Sequence, residues 1–117
     1  MDRLERREER AVTTPPVIFE VVFTLQRTYG VPRPRIRQLM LPLISLPGLE
    51  VQGEDLFFRS FDIFVDNNVS FADAYSVAFM ERRAIKEIYS WDTDFDRIET
   101  VVRVEPGGNL PAAQDLE

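Results

Sequence analysis

Neither cysteine nor histidine occurs among the 117 residues. Their absence excludes disulfides, thiolate zinc sites, cysteine nucleophiles and every histidine-dependent triad or histidine-ligated metal. Any metal must therefore be held by oxygen, which favours Mg²⁺ or Mn²⁺ over zinc. Long apolar runs are missing as well: nothing approaches the roughly 18 consecutive apolar residues of a membrane-spanning helix. The opening run Met1-Asp2-Arg3-Leu4-Glu5-Arg6-Arg7-Glu8-Glu9-Arg10 is charged throughout and lacks the apolar centre of a secretory signal. No membrane is expected, and the expected location is cytoplasmic. Bases are the minority, 14 against 20 acids, for a net charge of −6. Proteins that live by phosphate contacts are usually basic, although carboxylates awaiting a metal add negative charge locally. The bases are also unevenly spread, with Arg27, Arg33, Arg35 and Arg37 in one group and Arg82, Arg83 and Lys86 in another. Solvated helix ends account for either group as well as a nucleic-acid face does.

What remains is an ordinary globular composition, 44% hydrophobic and 29% charged, and a length that suits a single domain. That domain is expected over residues 1–105, with a disordered tail over 106–117. Residues 2–10 read as the end of a charged helix, and Ala11-Val12-Thr13 as a brief strand. Thr14 before Pro15 and Pro16 signals a helix start, since prolines in a first turn forfeit no intrahelical bond. Val17, Ile18, Val21, Val22, Leu25 and Tyr29 then recur at helical spacing, and Gly30 is placed to stop the helix. A second helix is expected from near Pro34 to Ile44, kinked or shortened by Pro42. A short strand, Leu49-Glu50-Val51, follows the turn Leu46-Pro47-Gly48. Glu54 and Asp55 open a third helix that closes at Asp66-Asn67-Asn68, and Ser70 caps a fourth. Lys86 to Trp91 and Thr100 to Val104 read as strands on either side of the acidic turn Asp92-Thr93-Asp94-Phe95-Asp96. Helices separated by single short strands predict an α/β domain, a mostly parallel sheet flanked by helices. Ligands of such sheets bind beyond the carboxyl ends of the strands, and Asp92 sits just past one.

Three acids occupy settings suited to holding a divalent ion against a phosphodiester: Glu20 early in its helix, Asp73 in a first turn, and Asp92 after a strand. Such an ion needs carboxylates converging from separate elements. Each acid also has a plain structural explanation. Glu20 complements a helix dipole, Ser70 and Asp73 have the spacing of a capping box, and Asp92, Asp94 and Asp96 suit a solvated turn.

Order and context separate these readings. Phe71-Ala72-Asp73-Ala74, a helix, and then Ser90-Trp91-Asp92-Thr93-Asp94-Phe95 resemble the C-terminal half of PIN domains, where an F-x-D-A helix start precedes a strand and a [T/S]-x-D-x-D-F turn. Upstream, Phe19-Glu20-Val21-Val22 with Leu25, Arg27, Tyr29 and Gly30 resembles the family's second motif, and Leu46 to Val51 resembles its VapC-type toxin members. The resemblance covers roughly residues 10–105. It implies a Mg²⁺- or Mn²⁺-dependent endoribonuclease, a hydrolase that cleaves single-stranded or structured RNA and is commonly a toxin restrained by an antitoxin. Carried over by position, Glu20, Asp73 and Asp92 match the second, third and fourth acidic positions as catalytic metal ligands. Asp96 matches an accessory acid, and Ser90 the hydroxyl that orients a ligand or phosphate. A metal-activated water is the implied nucleophile.

One departure stands out. PIN domains begin with an apolar strand ending in Asp, and nothing here matches it, since Asp2 precedes a charged stretch. The expectation is a chain incomplete at the N-terminus, without the strand that lies mid-sheet in the family. Its neighbours' backbone groups would be left unpaired. Three outcomes are compatible with this: a fragment, a sheet closed up over the gap with weakened activity, or a strand supplied by another chain. The rival function is a non-catalytic PIN-like interaction domain that binds an antitoxin-like protein or forms a homodimer, with Phe57, Phe58, Phe61 and Phe64 at the contact. An unrelated α/β domain with coincidental acids is the third reading.

Overall fold

The structure, a computed structural model, describes residues 10–108. The charged stretch 2–9 and the tail beyond 108 lie outside the described residues. The chain runs β1 (Ala11–Thr13), α1 (Pro15–Arg27), α2 (Arg33–Ile44), β2 (Leu49–Val51), α3 (Glu54–Asn67), α4 (Phe71–Arg82), β3 (Glu87–Tyr89), a 3₁₀ turn (Thr93–Arg97), β4 (Val102–Val104) and a second 3₁₀ turn (Pro106–Gly108). The last of these places ordered backbone at the start of the segment expected to be tail.

Local chemistry explains most boundaries. Thr14 is extended and its side chain makes no capping bond, so the two prolines set the start of α1 through their fixed φ. The helix stops at Arg27, before Gly30. Gly30 itself takes φ 64°, and the Val31 N–H turns back to the Leu25 carbonyl at 2.9 Å. Pro42 falls in the last turn of α2, where few bonds remain to be lost, so the helix continues to Ile44. Gly53 (φ 75°) opens α3 and Asn68 (φ 54°) closes it, both in the left-handed region that Gly and Asn enter most readily.

The core lies chiefly between α3 and α4. Phe57, Phe61 and Phe64 on α3 have no exposed surface, and Phe71 on α4 is 5% exposed. The Phe71 ring lies 4.5 Å from Phe61 and parallel to Phe57 at 6.0 Å. Three of the four phenylalanines assigned to partner contacts in the interaction-domain reading therefore form the core, and only Phe58 is exposed. Ile18 and Val22 of α1 and Ile36, Met40 and Ile44 of α2 complete the interior.

All strand pairing is parallel and helices flank it, so the chain is α/β. It is divided, however, into two two-stranded sheets, β1 with β2 and β3 with β4, instead of one. In β1–β2 the Ala11 N–H reaches the Gly48 carbonyl and the Gln52 N–H reaches the Thr13 carbonyl. Parallel ladders use alternate residues, so Val12 directs its backbone groups to the opposite edge, which no strand pairs among the described residues. On β3 the bonds Val102 N–H to Lys86 O and Ser90 N–H to Val104 O leave Glu87 and Tyr89 directed away from β4 in the same way. Among the described residues no strand joins the two pairs.

Candidate metal centre

Asp73 stands in the first turn of α4, where its N–H donates to Ser70 Oγ at 3.1 Å. Ser70 thus caps the helix through the backbone N–H of Asp73, and its hydroxyl also favours the ionised form of the Asp73 carboxyl, against the larger effect of burial. Asp92 follows β3. Its N–H donates to Ser90 Oγ at 3.0 Å and its Oδ1 accepts the Asp94 N–H at 2.9 Å, an Asx turn that starts the 3₁₀ segment. Phe95, 3% exposed, plugs this turn into the core. With the backbone pinned at both ends, Asp94 points back towards Asp73. Carboxylate oxygens of Asp73, Asp92 and Asp94 all lie within 4.8 Å of one another.

Gathering three acids has an electrostatic cost, visible at Asp73. Burial, then the hydrogen bond and charge of Asp92, push its carboxyl up to about 7 from the ordinary 3.8. Asp92 moves the other way, held down first by the bond from Asp73, then by the Asp94 N–H, with Arg97 and Arg103 assisting. If both were ionised, neither oxygen could donate, and Asp73 Oδ2 is buried without a hydrogen-bond partner. A proton on Asp73, donated to Asp92, satisfies both groups. So does a cation. The arginines nearby are engaged: Arg97 pairs with Asp94 at 3.4 Å and donates to the Asn68 carbonyl, while Arg33 donates to the Phe64 and Val69 carbonyls.

The remaining residues singled out in the sequence lie elsewhere. Glu20 is on the exposed side of α1 and is outside the acid group, lining a cavity with Ser70, Phe71 and Ala72. Asp96, two residues past Asp94, turns to Arg103, whose Nε and Nη2 donate to it at 3.0 and 3.2 Å. Ser90 serves the backbone N–H of Asp92. Asp94 was legible only as one acid of a polar turn; the alternation Asp92-x-Asp94 ahead of a buried Phe95 was the signal that could have singled it out.

The group contains only carboxylate oxygens, a donor set for hard cations such as Mg²⁺ and Mn²⁺. Its two contributing elements, the start of α4 and the turn after β3, carry the motifs of the C-terminal half described above. The PIN domain family matches residues 1–101 of the chain. Neither the curated proteins nor the solved structures yield a match. PIN domains are generally nucleases, and a match over this length, with the fold and the carboxylate group in agreement, means that the chain belongs to the PIN domain family.

Proposed function

We propose that the protein is a metal-dependent ribonuclease of the VapC toxin type, with Asp73, Asp92 and Asp94 holding one Mg²⁺ or Mn²⁺ ion. The observation that carries this is the convergence of three carboxylates at a point where one buried oxygen, Asp73 Oδ2, lacks any partner. Bound there, the ion would supply Lewis acidity to a phosphate oxygen and to the attacking water. The protein's own part is positional. Ser70 and Ser90 fix the backbones of Asp73 and Asp92, and Phe95 anchors the turn that aims Asp94. Arg97, already beside Asp94, is placed to meet a phosphate oxygen once a cation takes over that carboxylate.

The test is cleavage of a mixed RNA pool with and without Mg²⁺ or Mn²⁺. Substituting even the residues behind metal ligands costs about 10- to 100-fold in affinity or activity, so Asp73→Asn and Asp92→Asn should each lose at least about 100-fold. Cleavage that persists in EDTA, or in both variants, would sink the reading. The second reading, a non-catalytic domain that binds an antitoxin-like protein, is favoured by one observation, the edges of β1 and β3 that no strand pairs among the described residues. It requires partner binding that Asp73→Asn and Asp92→Asn leave intact, together with no cleavage.

A further inference from the structure

A cavity of about 320 Å³ opens between α1 and the start of α4. Its apolar walls are Phe19, Val22, Phe23 and Phe71, and its polar members include Glu20, Gln26 and Arg27. The walls are fixed: Phe19 packs edge-on against Phe57, Phe71 and Tyr75, at 6.2, 5.8 and 5.1 Å. Phe23 is different. It is 61% exposed, with the Arg27 guanidinium over its ring at 5.6 Å. Glu20, Phe23 and Arg27 follow one another at i, i+3 and i+7 and so share a face of α1. Arg27 makes no ion pair among the described residues, which leaves a cation on the rim of a mostly apolar slot.

A flat aromatic group that carries hydrogen-bonding edges and an attached anion fits this arrangement. We propose that the cavity binds one unpaired nucleobase of single-stranded RNA, stacked on Phe23, with Gln26 and Glu20 facing its polar edge and Arg27 its phosphate. A paired base has both faces covered and its edge occupied, so the slot selects single strands. Its location gives the base a purpose. Ser70 lines the cavity and also caps Asp73, and Ala72, another lining residue, immediately precedes it. A nucleotide seated here would present its neighbouring phosphate to the carboxylate group. Glu20, left outside that group, acquires the role of reading the base.

This use of the site rests on the ribonuclease reading, but the binding itself requires neither metal nor cleavage. The experiment is saturation-transfer NMR with AMP, GMP, CMP and UMP in EDTA, on the full chain and on Phe23→Ala and Gln26→Ala. Phe79→Ala, at another exposed phenylalanine, serves as the control. The expected result is transfer to base protons for at least one nucleotide, weakened about 5- to 100-fold by Phe23→Ala and shifted in base preference by Gln26→Ala. Phe79→Ala should leave it unchanged. The proposal is overturned if no nucleotide binds, if Phe23→Ala binds as the full chain does, or if inorganic phosphate competes as well as the nucleotides. Base binding without metal-dependent cleavage would sink the nuclease reading and keep the pocket. Cleavage without base binding would do the reverse.

Discussion

A carboxyl group that titrates near neutrality weakens the fold whenever it is charged. Asp73 loses its proton near 7 in the folded protein but near the ordinary 3.8 once unfolded. Its folded pKa is raised, so the native state binds the extra proton, and stability falls as pH rises through that window. Without metal, Asp73→Asn should therefore melt higher than the parent at pH 8, with the difference closing towards pH 4. A thermal melt series in EDTA measures this, and equal melting temperatures at pH 8 would refute it. Adding Mn²⁺ at pH 8 should raise the parent's melting temperature and leave Asp73→Asn unmoved, because only a ligand that binds the native state stabilises it. The same residue shows what a sequence can convey about a site. Asp73 and Asp92 were legible because each sits in a motif whose local geometry is its own, a helix cap and an Asx turn. Asp94 was not, since three acids in one turn look alike until the burial of Phe95 decides which way each points. Whether Glu20 meets the others depends on the packing of α1 against α4, which no local spacing encodes.

Among elements, α4 joins fold to site, packing its buried face on α3 and carrying Asp73 in its first turn. Phe71 packs against Phe19, Phe57, Phe61 and Phe64 and stands two residues before Asp73. Phe71→Ala should cost about 3–5 kcal/mol by chemical denaturation, and a loss below about 1 kcal/mol would show the aromatic cluster to be loose. The joint after α4 carries a different tension. Ala84 takes φ 55°, a left-handed conformation that disfavours any residue with a Cβ by about 1–2 kcal/mol. Ala84→Gly removes that clash but adds chain entropy to the unfolded state, so a net gain of roughly 0.5 kcal/mol is expected in the same measurement. Helix positions were readable from apolar spacing and cap residues, and the structure moved their ends by only a few residues. The strands came out shorter than their apolar runs: Lys86 to Trp91 reduced to Glu87–Tyr89, and Thr100 to Val104 to Val102–Val104. Strand length is set by how far a partner runs alongside, and composition does not report it.

At the scale of the whole molecule, the division into two sheets is what sets this chain apart from a continuous α/β layer. The motifs told of parallel strands and flanking helices. They gave one mostly parallel sheet, and the separation of the two pairs was not legible in them. The free edges should be visible in hydrogen exchange: the amides of Val12, Glu87 and Tyr89 are expected to exchange orders of magnitude faster than those of Phe61 and Val77, buried in α3 and α4. Comparable protection at both sets would mean that something covers the edges in solution.

The two sheets also respond differently to a mechanical load. With no ladder crossing between them among the described residues, the helices transmit whatever force reaches β1. Tension applied at the start of the chain would strip β1 from β2 first, across a contact only three residues long. Asp73, Asp92 and Asp94, carried by α4 and the turn after β3, would keep their arrangement while that end gave way.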